Sequence, residues 1–116
     1  MEKRLVFTGK CQVGMENFDL PEPKAGEVRV KTLTSLMSTG TENIVFNRNF
    51  DSGTHWDNWV KYPFYPGYTS CAVVEKTGEG VKSVKKGDRV AVRKGHASGH
   101  VLSENECIPV PEKVSD

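Results

Sequence analysis

Short runs of alternating apolar and polar residues, separated by glycine- and proline-rich turns, recur along the whole chain. The clearest run covers residues 27–35, where one face is predicted to carry Val28, Val30, Thr32 and Thr34. Because successive side chains of a β-strand point to opposite faces, this pattern predicts a half-buried strand.

Other segments with strand character surround this run, and they cover residues 3–8, 11–18, 70–77, 89–93, 100–103 and 107–110. The first two are joined by Gly9-Lys10 and are predicted to form a hairpin. About seven or eight short strands with turn-rich spacing favour a mainly β, partly open barrel over βαβ units.

The alternation stops at Ser38, where hydroxyl and small residues that can cap a helix precede an acidic residue, Glu42. This order predicts one or two helical turns over residues 42–50.

Residues 51–61 show no period and are predicted to form a long loop. Trp56 in this loop either lines a pocket or fastens the loop to the core.

Composition excludes several classes of protein. The 116 residues fit one domain, 1–116, and 16 Lys and Arg against 15 Asp and Glu leave no basic surface for nucleic acid. No apolar run approaches the ~20 residues that cross a membrane. Three dispersed cysteines and no signal-peptide pattern predict a cytoplasmic protein.

Neither a nucleotide motif nor a metal motif is evident. Gly78-Glu79-Gly80 is followed by Val81 rather than by a helix start, so it predicts a hairpin turn and no bound cofactor. His96 and His100 would lie roughly 13 Å apart in an extended strand, which favours polar loop histidines over a shared zinc unless the chain turns sharply. Cys71, in an apolar strand, is interpreted as a small core residue.

Six segments stand in a recognisable order. They are Val28-x-Val30, Met37-Ser38-Thr39-Gly40-Thr41-Glu42, Tyr62-Pro63-Phe64-Tyr65-Pro66-Gly67-Tyr68, Val73-Val74-Glu75-x-x-Gly78-Glu79-Gly80-Val81, Lys86-Gly87-Asp88-Arg89-Val90 and Ile108-Pro109-Val110-Pro111. This order resembles the N-terminal GroES-like catalytic domain of the zinc-type alcohol dehydrogenases, in the medium-chain dehydrogenase/reductase superfamily.

The resemblance implies a GroES-like barrel that supplies the pocket for a small alcohol or carbonyl substrate. A Rossmann nucleotide-binding domain, separate or missing here, would hold NAD(P), and hydride would pass across the cleft between the two. By the resemblance, Thr41 relays a proton, Glu42 keeps an acidic position near the centre, and His96 acts as an acid/base group or a substitute ligand.

The zinc pattern is altered at both ligand positions in this chain. Thr39 stands where the family has its first cysteine ligand, and Tyr68 stands where it has histidine. Neutral hydroxyls are poor zinc ligands, so zinc is not expected. Thr39, Tyr68 and Trp56 are instead predicted to bind substrate.

Three functions remain open at this point. The chain is interpreted first as the substrate-side domain of an NAD(P)-dependent oxidoreductase, unable to transfer hydride alone. The alternatives are a binding module without catalysis, and an interaction domain whose barrel edges pair with a second protein or with copies of the chain itself.

Overall fold

The computed structural model describes residues 2–114, within which strands dominate. There are seven strands: β1 (Glu2–Gly9), β2 (Gln12–Phe18), β3 (Glu27–Ser35), β4 (Ser70–Thr77), β5 (Arg89–Val92), β6 (Gly99–Ser103) and β7 (Ile108–Pro109). Two short helices, α1 (Thr39–Asn47) and α2 (His55–Trp59), and one 3₁₀ turn (Glu104–Glu106) complete this part of the chain.

The strands form two antiparallel sheets. β1 and β2 form a two-stranded hairpin, and the other strands form a five-stranded sheet in the order β6-β3-β4-β5-β7. Isolated bridges from Arg4 to Ala97 and from Phe7 to Phe64 tie the hairpin to the rest of the domain. Neither sheet closes on itself, which confirms the predicted mainly β, partly open barrel.

The main core lies on one face of the five-stranded sheet and consists mostly of valine. Its buried residues are Val28, Val30, Ala72, Val74, Val84, Val90, Val92, Leu102 and Cys107. The prediction that Thr34 shares the face of Val28 and Val30 is wrong. The pairing of β3 with β4 shifts register between Thr32 and Thr34, and Thr34 becomes exposed.

A second, aromatic cluster holds α1 and α2 against the hairpin. Phe7, Val45 and Val60 are its buried centre, and five partly buried aromatic residues surround them: Phe46, Phe50, Trp56, Tyr62 and Phe64. The Tyr62 hydroxyl donates to the carbonyl oxygen of Val45 at 2.9 Å. This cluster fixes the position of α1, which carries one residue of the candidate site.

The predicted structureless loop over residues 51–61 is wrong, because α2 lies within it. The Thr54 side chain accepts a hydrogen bond from the Asp57 backbone N–H, which caps the helix. The Asp57 carboxylate accepts from the Gly53 backbone N–H at 2.9 Å and from Arg48 at 2.7 Å. These local bonds stabilise a helix that is too short to show a period.

The turn of the first hairpin also differs from its prediction. Cys11, predicted to begin β2, lies in the turn with a φ of 56°, and β2 begins at Gln12. Its backbone N–H donates to the carbonyl oxygen of Phe46 at 2.7 Å. That long-range bond keeps Cys11 in the turn.

Glu104 is expected to make the stability of the fold sensitive to acid. The Ser83 hydroxyl, with the backbone N–H groups of Ser83 and Lys82, donates to its carboxylate and lowers its pKa below the ordinary 4.5. A lowered pKa means stability that is present above the unfolded value and lost as the pH falls through the folded one. Urea unfolding between about pH 7 and pH 3 should show a smaller acid loss for Glu104→Gln. Ser83→Ala should lie between Glu104→Gln and the unchanged chain, and equal slopes in all three would contradict this assignment.

Candidate functional site

The site begins at the first turn of α1, where the carboxylate of Glu42 is buried. Its side chain is 9% exposed, and its Oε2 accepts a hydrogen bond from the Ser38 backbone N–H at 2.5 Å. Ser38 is the N-cap of α1, but its hydroxyl makes no capping bond, so the predicted hydroxyl cap is wrong at this residue. A carboxylate in the first turn is also stabilised by the helix dipole.

His96 bridges Glu42 and the end of β3. Its Nε2 lies 2.5 Å from Glu42 Oε1, and its Nδ1 lies 2.6 Å from Ser35 Oγ. The imidazole side chain is 10% exposed. Three side chains from three separate segments therefore form one continuous hydrogen-bonded chain, which we call the Ser35–His96–Glu42 chain.

The backbone around His96 fixes the position of its ring. Its N–H donates to the carbonyl oxygen of Pro66 at 3.1 Å, and its carbonyl oxygen accepts from the Leu5 N–H at 2.8 Å. Gly67, with a φ of +92°, lies so close to His96 that a Cβ on Gly67 would be 2.8 Å from the backbone nitrogen of His96. Ring orientation is therefore set by neighbouring backbone as well as by Ser35 and Glu42.

The proton positions in this chain depend on the ionisation of Glu42 and the tautomer of His96. A carboxylate only accepts hydrogen bonds, so with Glu42 ionised the hydrogen of a neutral His96 ring lies on Nε2. Nδ1 then accepts from the Ser35 hydroxyl. The Ser35 oxygen keeps its own acceptor capacity for a further donor.

Ser35 connects this hydrogen-bonded chain to open space. It borders a cavity of about 500 Å³, the Ser35 cavity, lined by Lys3, Leu5, Met15, Ser35, Met37, His96, Ala97 and Ser98. It also borders a second cavity of about 320 Å³. Ser35 lines both cavities, whereas Glu42 lines neither of them.

The predicted site residues fall into two groups. Glu42 and His96 are in direct contact, and Thr41 precedes Glu42 in α1 and is half-buried. Thr39 is exposed, and Tyr68 is 51% exposed. The structure thus joins Glu42, predicted to keep an acidic position, to His96, predicted to be an acid/base group or a substitute ligand.

Trp56 lies within the aromatic cluster. Its ring is stacked on Phe50 with centroids 6.3 Å apart, and it is tilted against Trp59 at 5.5 Å. Of the two interpretations of Trp56 from the sequence, this packing supports the one in which it fastens the segment to the core.

Sequence reasoning missed Ser35, which lines the cavity beside His96 and forms a hydrogen bond with it. Ser35 ends β3, and nothing in the alternation of that strand distinguishes it from other polar residues. Its partner His96 lies 61 residues away along the chain. Only the folded arrangement reveals the contact.

The residues present do not fit zinc. Across residues 2–114, no three His, Cys, Asp or Glu side chains are grouped closely enough to hold a metal ion. Thr39 and Tyr68 offer only exposed hydroxyls, and both ring nitrogens of His96 are already hydrogen-bonded.

His100 does not complete a metal pair with His96, although both line one cavity of about 310 Å³. Burial is the main cause that lowers the pKa of His100, so its ring is neutral at physiological pH. Its Nε2 is buried and has no hydrogen-bond partner among the residues described. Because both ring nitrogens of His96 are hydrogen-bonded, His96 offers no second imidazole ligand for a cation shared with His100.

The sequence of the chain matches a known domain family. The model of the alcohol dehydrogenase GroES-like domain family matches residues 24–112, which is more than half of the chain. The chain therefore belongs to the alcohol dehydrogenase GroES-like domain family.

No helix within residues 2–114 has the length and apolar character needed to span a bilayer.

Two curated relatives illustrate the extent of the similarity. The starvation-sensing protein RspB of Escherichia coli is 33% identical over 98 residues, covering 84% of this chain and 26% of that protein. Human sorbitol dehydrogenase is 33% identical over 91 residues, covering 78% of this chain and 24% of that protein. The chain thus spans about a quarter of the length of these relatives.

Solved structures share the fold at lower identity. CAD from Helicobacter pylori complexed with NADP(H) has a TM-score of 0.78 at 16% identity, covering 98% of this chain and 42% of that one. Escherichia coli quinone oxidoreductase complexed with NADPH has a TM-score of 0.69 at 20% identity, covering 97% and 34%. In each of these structures the fold of this chain is one part of a longer protein.

Proposed function

We propose that the chain acts as the substrate-side domain of an NAD(P)-dependent oxidoreductase of the alcohol dehydrogenase type. The observation that carries this proposal is the Ser35–His96–Glu42 chain, of which Ser35 and His96 line one cavity. Oxidation of an alcohol requires a group that removes the hydroxyl proton, and a histidine backed by a carboxylate is suited to that task. Family membership supports the same activity.

The proton of a bound alcohol would move along named atoms. It passes from the substrate oxygen to Ser35 Oγ while the Ser35 proton passes to His96 Nδ1. The resulting imidazolium is stabilised by the Glu42 carboxylate at 2.5 Å. Under this proposal Ser35 and His96 are catalytic, Glu42 is a positioning residue, and Thr41 stays a predicted relay.

The nucleotide does not fit the residues described here. The turn at Gly78-Glu79-Gly80 leads into a loop and then β5, so no helix N-terminus follows this turn to bind a pyrophosphate. The relatives whose structures contain NADPH or NADP(H) are longer than this chain. We therefore assign dinucleotide binding, and with it the hydride chemistry, to a nucleotide-binding domain outside these residues.

Titration of the purified chain tests whether it binds substrate without binding the dinucleotide. NADH and NADPH should show no saturable binding by fluorescence, because no helix follows the glycine turn at Gly78-Glu79-Gly80. A panel of alcohols, ketones and polyols, followed by amide and imidazole NMR shifts, should perturb His96 in at least one case. Micromolar dinucleotide binding, or a panel in which no compound perturbs His96, would overturn the proposal.

An interaction module is the second candidate, and exposed apolar side chains favour it. Met15, Met37 and Leu36 are 65%, 64% and 57% exposed. Met15 and Met37 line the same cavity and Leu36 adjoins Met37 in the sequence, and apolar side chains that form a contiguous exposed patch are typical of a surface that contacts another protein. Light scattering at high concentration should reveal self-association if copies of the chain cover these residues, and a strictly monomeric protein would exclude a homo-oligomer. Either candidate is proposed to act in the cytoplasm.

A further inference from the structure

The outer edge of β2 is open in this domain. Independently of the oxidoreductase proposal, we infer that two copies of the chain pair antiparallel along this edge, about a two-fold axis at Met15. The inference gives the interaction candidate a defined surface. Three observations carry it: the direction of the backbone groups of β2, the composition of the strand, and the register that these groups allow.

The hydrogen bonds of β1 show which backbone groups of β2 point outward. Three residues of β1 bond to the side away from β2: Lys3, Leu5 and Phe7. The residues opposite them therefore form non-hydrogen-bonded pairs, in which the N–H and C=O groups of β2 also point away from β1. These residues are Val13, Met15 and Asn17. Across residues 2–114, β2 pairs with β1 alone, and the outward groups have no backbone partner.

The composition of β2 does not protect this edge. Natural edge strands are kept from pairing by lysine, proline or a bulge. β2 contains neither lysine nor proline, and the bulge of the hairpin lies in β1. Its one charged side chain, Glu16, is paired with Arg4. Val13 and Met15 are 54% and 65% exposed, so apolar side chains accompany the open backbone groups.

A two-fold axis at Met15 satisfies every outward group of β2. Met15 then exchanges two hydrogen bonds with Met15 of the second copy, and Val13 exchanges two with Asn17 of the second copy in each direction. The same register places Glu16 opposite Gly14, so no two carboxylates meet. Each copy thus presents the strand that its partner needs.

Neighbouring registers are less favourable. An axis at Glu16 would set two like charges opposite each other and would leave Val13 opposite a residue outside β2. An axis at Gly14 would set Asn17 opposite Cys11, whose N–H already donates within its own copy. The axis at Met15 is therefore the register that we expect.

Sedimentation equilibrium of the full chain, at concentrations up to about 1 mM, covers the range of weak contacts. We expect a monomer–dimer equilibrium. Met15→Lys should raise the Kd of the dimer by at least about tenfold, because it places two like charges at the axis. A chain that stays monomeric throughout would overturn the inference, and the edge would then be open to a strand of another protein.

Ile108→Lys is the matched control for Met15→Lys. Ile108 is 57% exposed and lies on β7, at one edge of the other sheet. Its replacement should leave the Kd of the dimer unchanged. An equal loss of association in both variants would show that added charge, and not pairing at β2, controls the dimer.

The register itself can be measured in the unsubstituted chain, so the test does not depend on the folding of a variant. In a mixture of isotope-labelled and unlabelled copies, filtered NMR should detect Hα of Gly14 close to Hα of Glu16 on the other copy, since such pairs bring Cα atoms to about 4.5 Å. A dimer without this signal would overturn pairing at β2 but would leave the interaction candidate standing. Neither outcome bears on the titrations that test the oxidoreductase proposal.

Discussion

Gly78→Ala is expected to destabilise the domain by about 3 kcal/mol, because the added methyl group meets backbone that cannot move cheaply. A Cβ at Gly78 would lie 2.0 Å from the carbonyl oxygen of Lys24 and 2.8 Å from that of Glu27. The Lys24 carbonyl is held by the Glu27 N–H at 2.9 Å, and the Gly78 N–H itself donates to the Glu27 carbonyl at 2.7 Å. Relief of the clash would break these bonds, which connect the start of β3 to the end of β4.

Urea unfolding followed by circular dichroism measures this effect, and Gly14→Ala is its control. Gly14 lies in β2, and a Cβ there would meet nothing within 4 Å. Alanine is less costly to order in a strand than glycine, so Gly14→Ala should be neutral or stabilising by about 0.5 kcal/mol. Equal stabilities for the two variants would show that the turn at Gly78 can relax, contrary to the geometry.

Much of the fold could be predicted because its signals are local. The alternation over Glu27–Ser35 and the apolar run over Ser70–Thr77 coincide with β3 and β4. Glycine and proline mark the turns between them, since these residues restrict or permit particular backbone angles. Strand positions and the barrel class follow from such signals.

The elements that were missed depend on contacts that alternation does not report. α2 is stabilised by the Thr54 cap and by Asp57, which binds Arg48 from another segment. Thr34 left its predicted face because a bulge changed the register of β3, and a bulge depends on the partner strand. In both cases tertiary or cap contacts overrode a weak local pattern.

The candidate site was also predictable only in part, because its contacts join residues far apart in the sequence. Resemblance to the family identified Glu42 and His96 as separate candidates, but they lie 54 residues apart, and no spacing rule predicts their contact. Ser35 carried no signal of its own. The site forms because β3, α1 and the segment after β5 lie close together. Only the folded chain brings these segments together.

His96→Leu is expected to destabilise the chain by about 3 kcal/mol, because it leaves the buried Glu42 carboxylate without its partner. The two side chains are 10% and 9% exposed, so water cannot readily replace the lost bond. The Ser35 hydroxyl loses its acceptor in the same substitution. Chemical unfolding measures the loss, and His55→Leu is the matched control. His55 is exposed on α2, and its replacement should change stability by no more than about 0.5 kcal/mol.

A double-mutant cycle separates the pair from the packing of each residue. Glu42→Leu alone should also be destabilising, because it leaves His96 and the Ser38 N–H without their acceptor. Combining Glu42→Leu with His96→Leu removes both members of the buried pair, so the loss should be smaller than the sum of the single losses by about 2 kcal/mol. Additive losses would mean that the two side chains are energetically independent. The carboxylate would then not stabilise a proton on His96. Ser35 would contact the substrate without a His96 ring able to accept its proton.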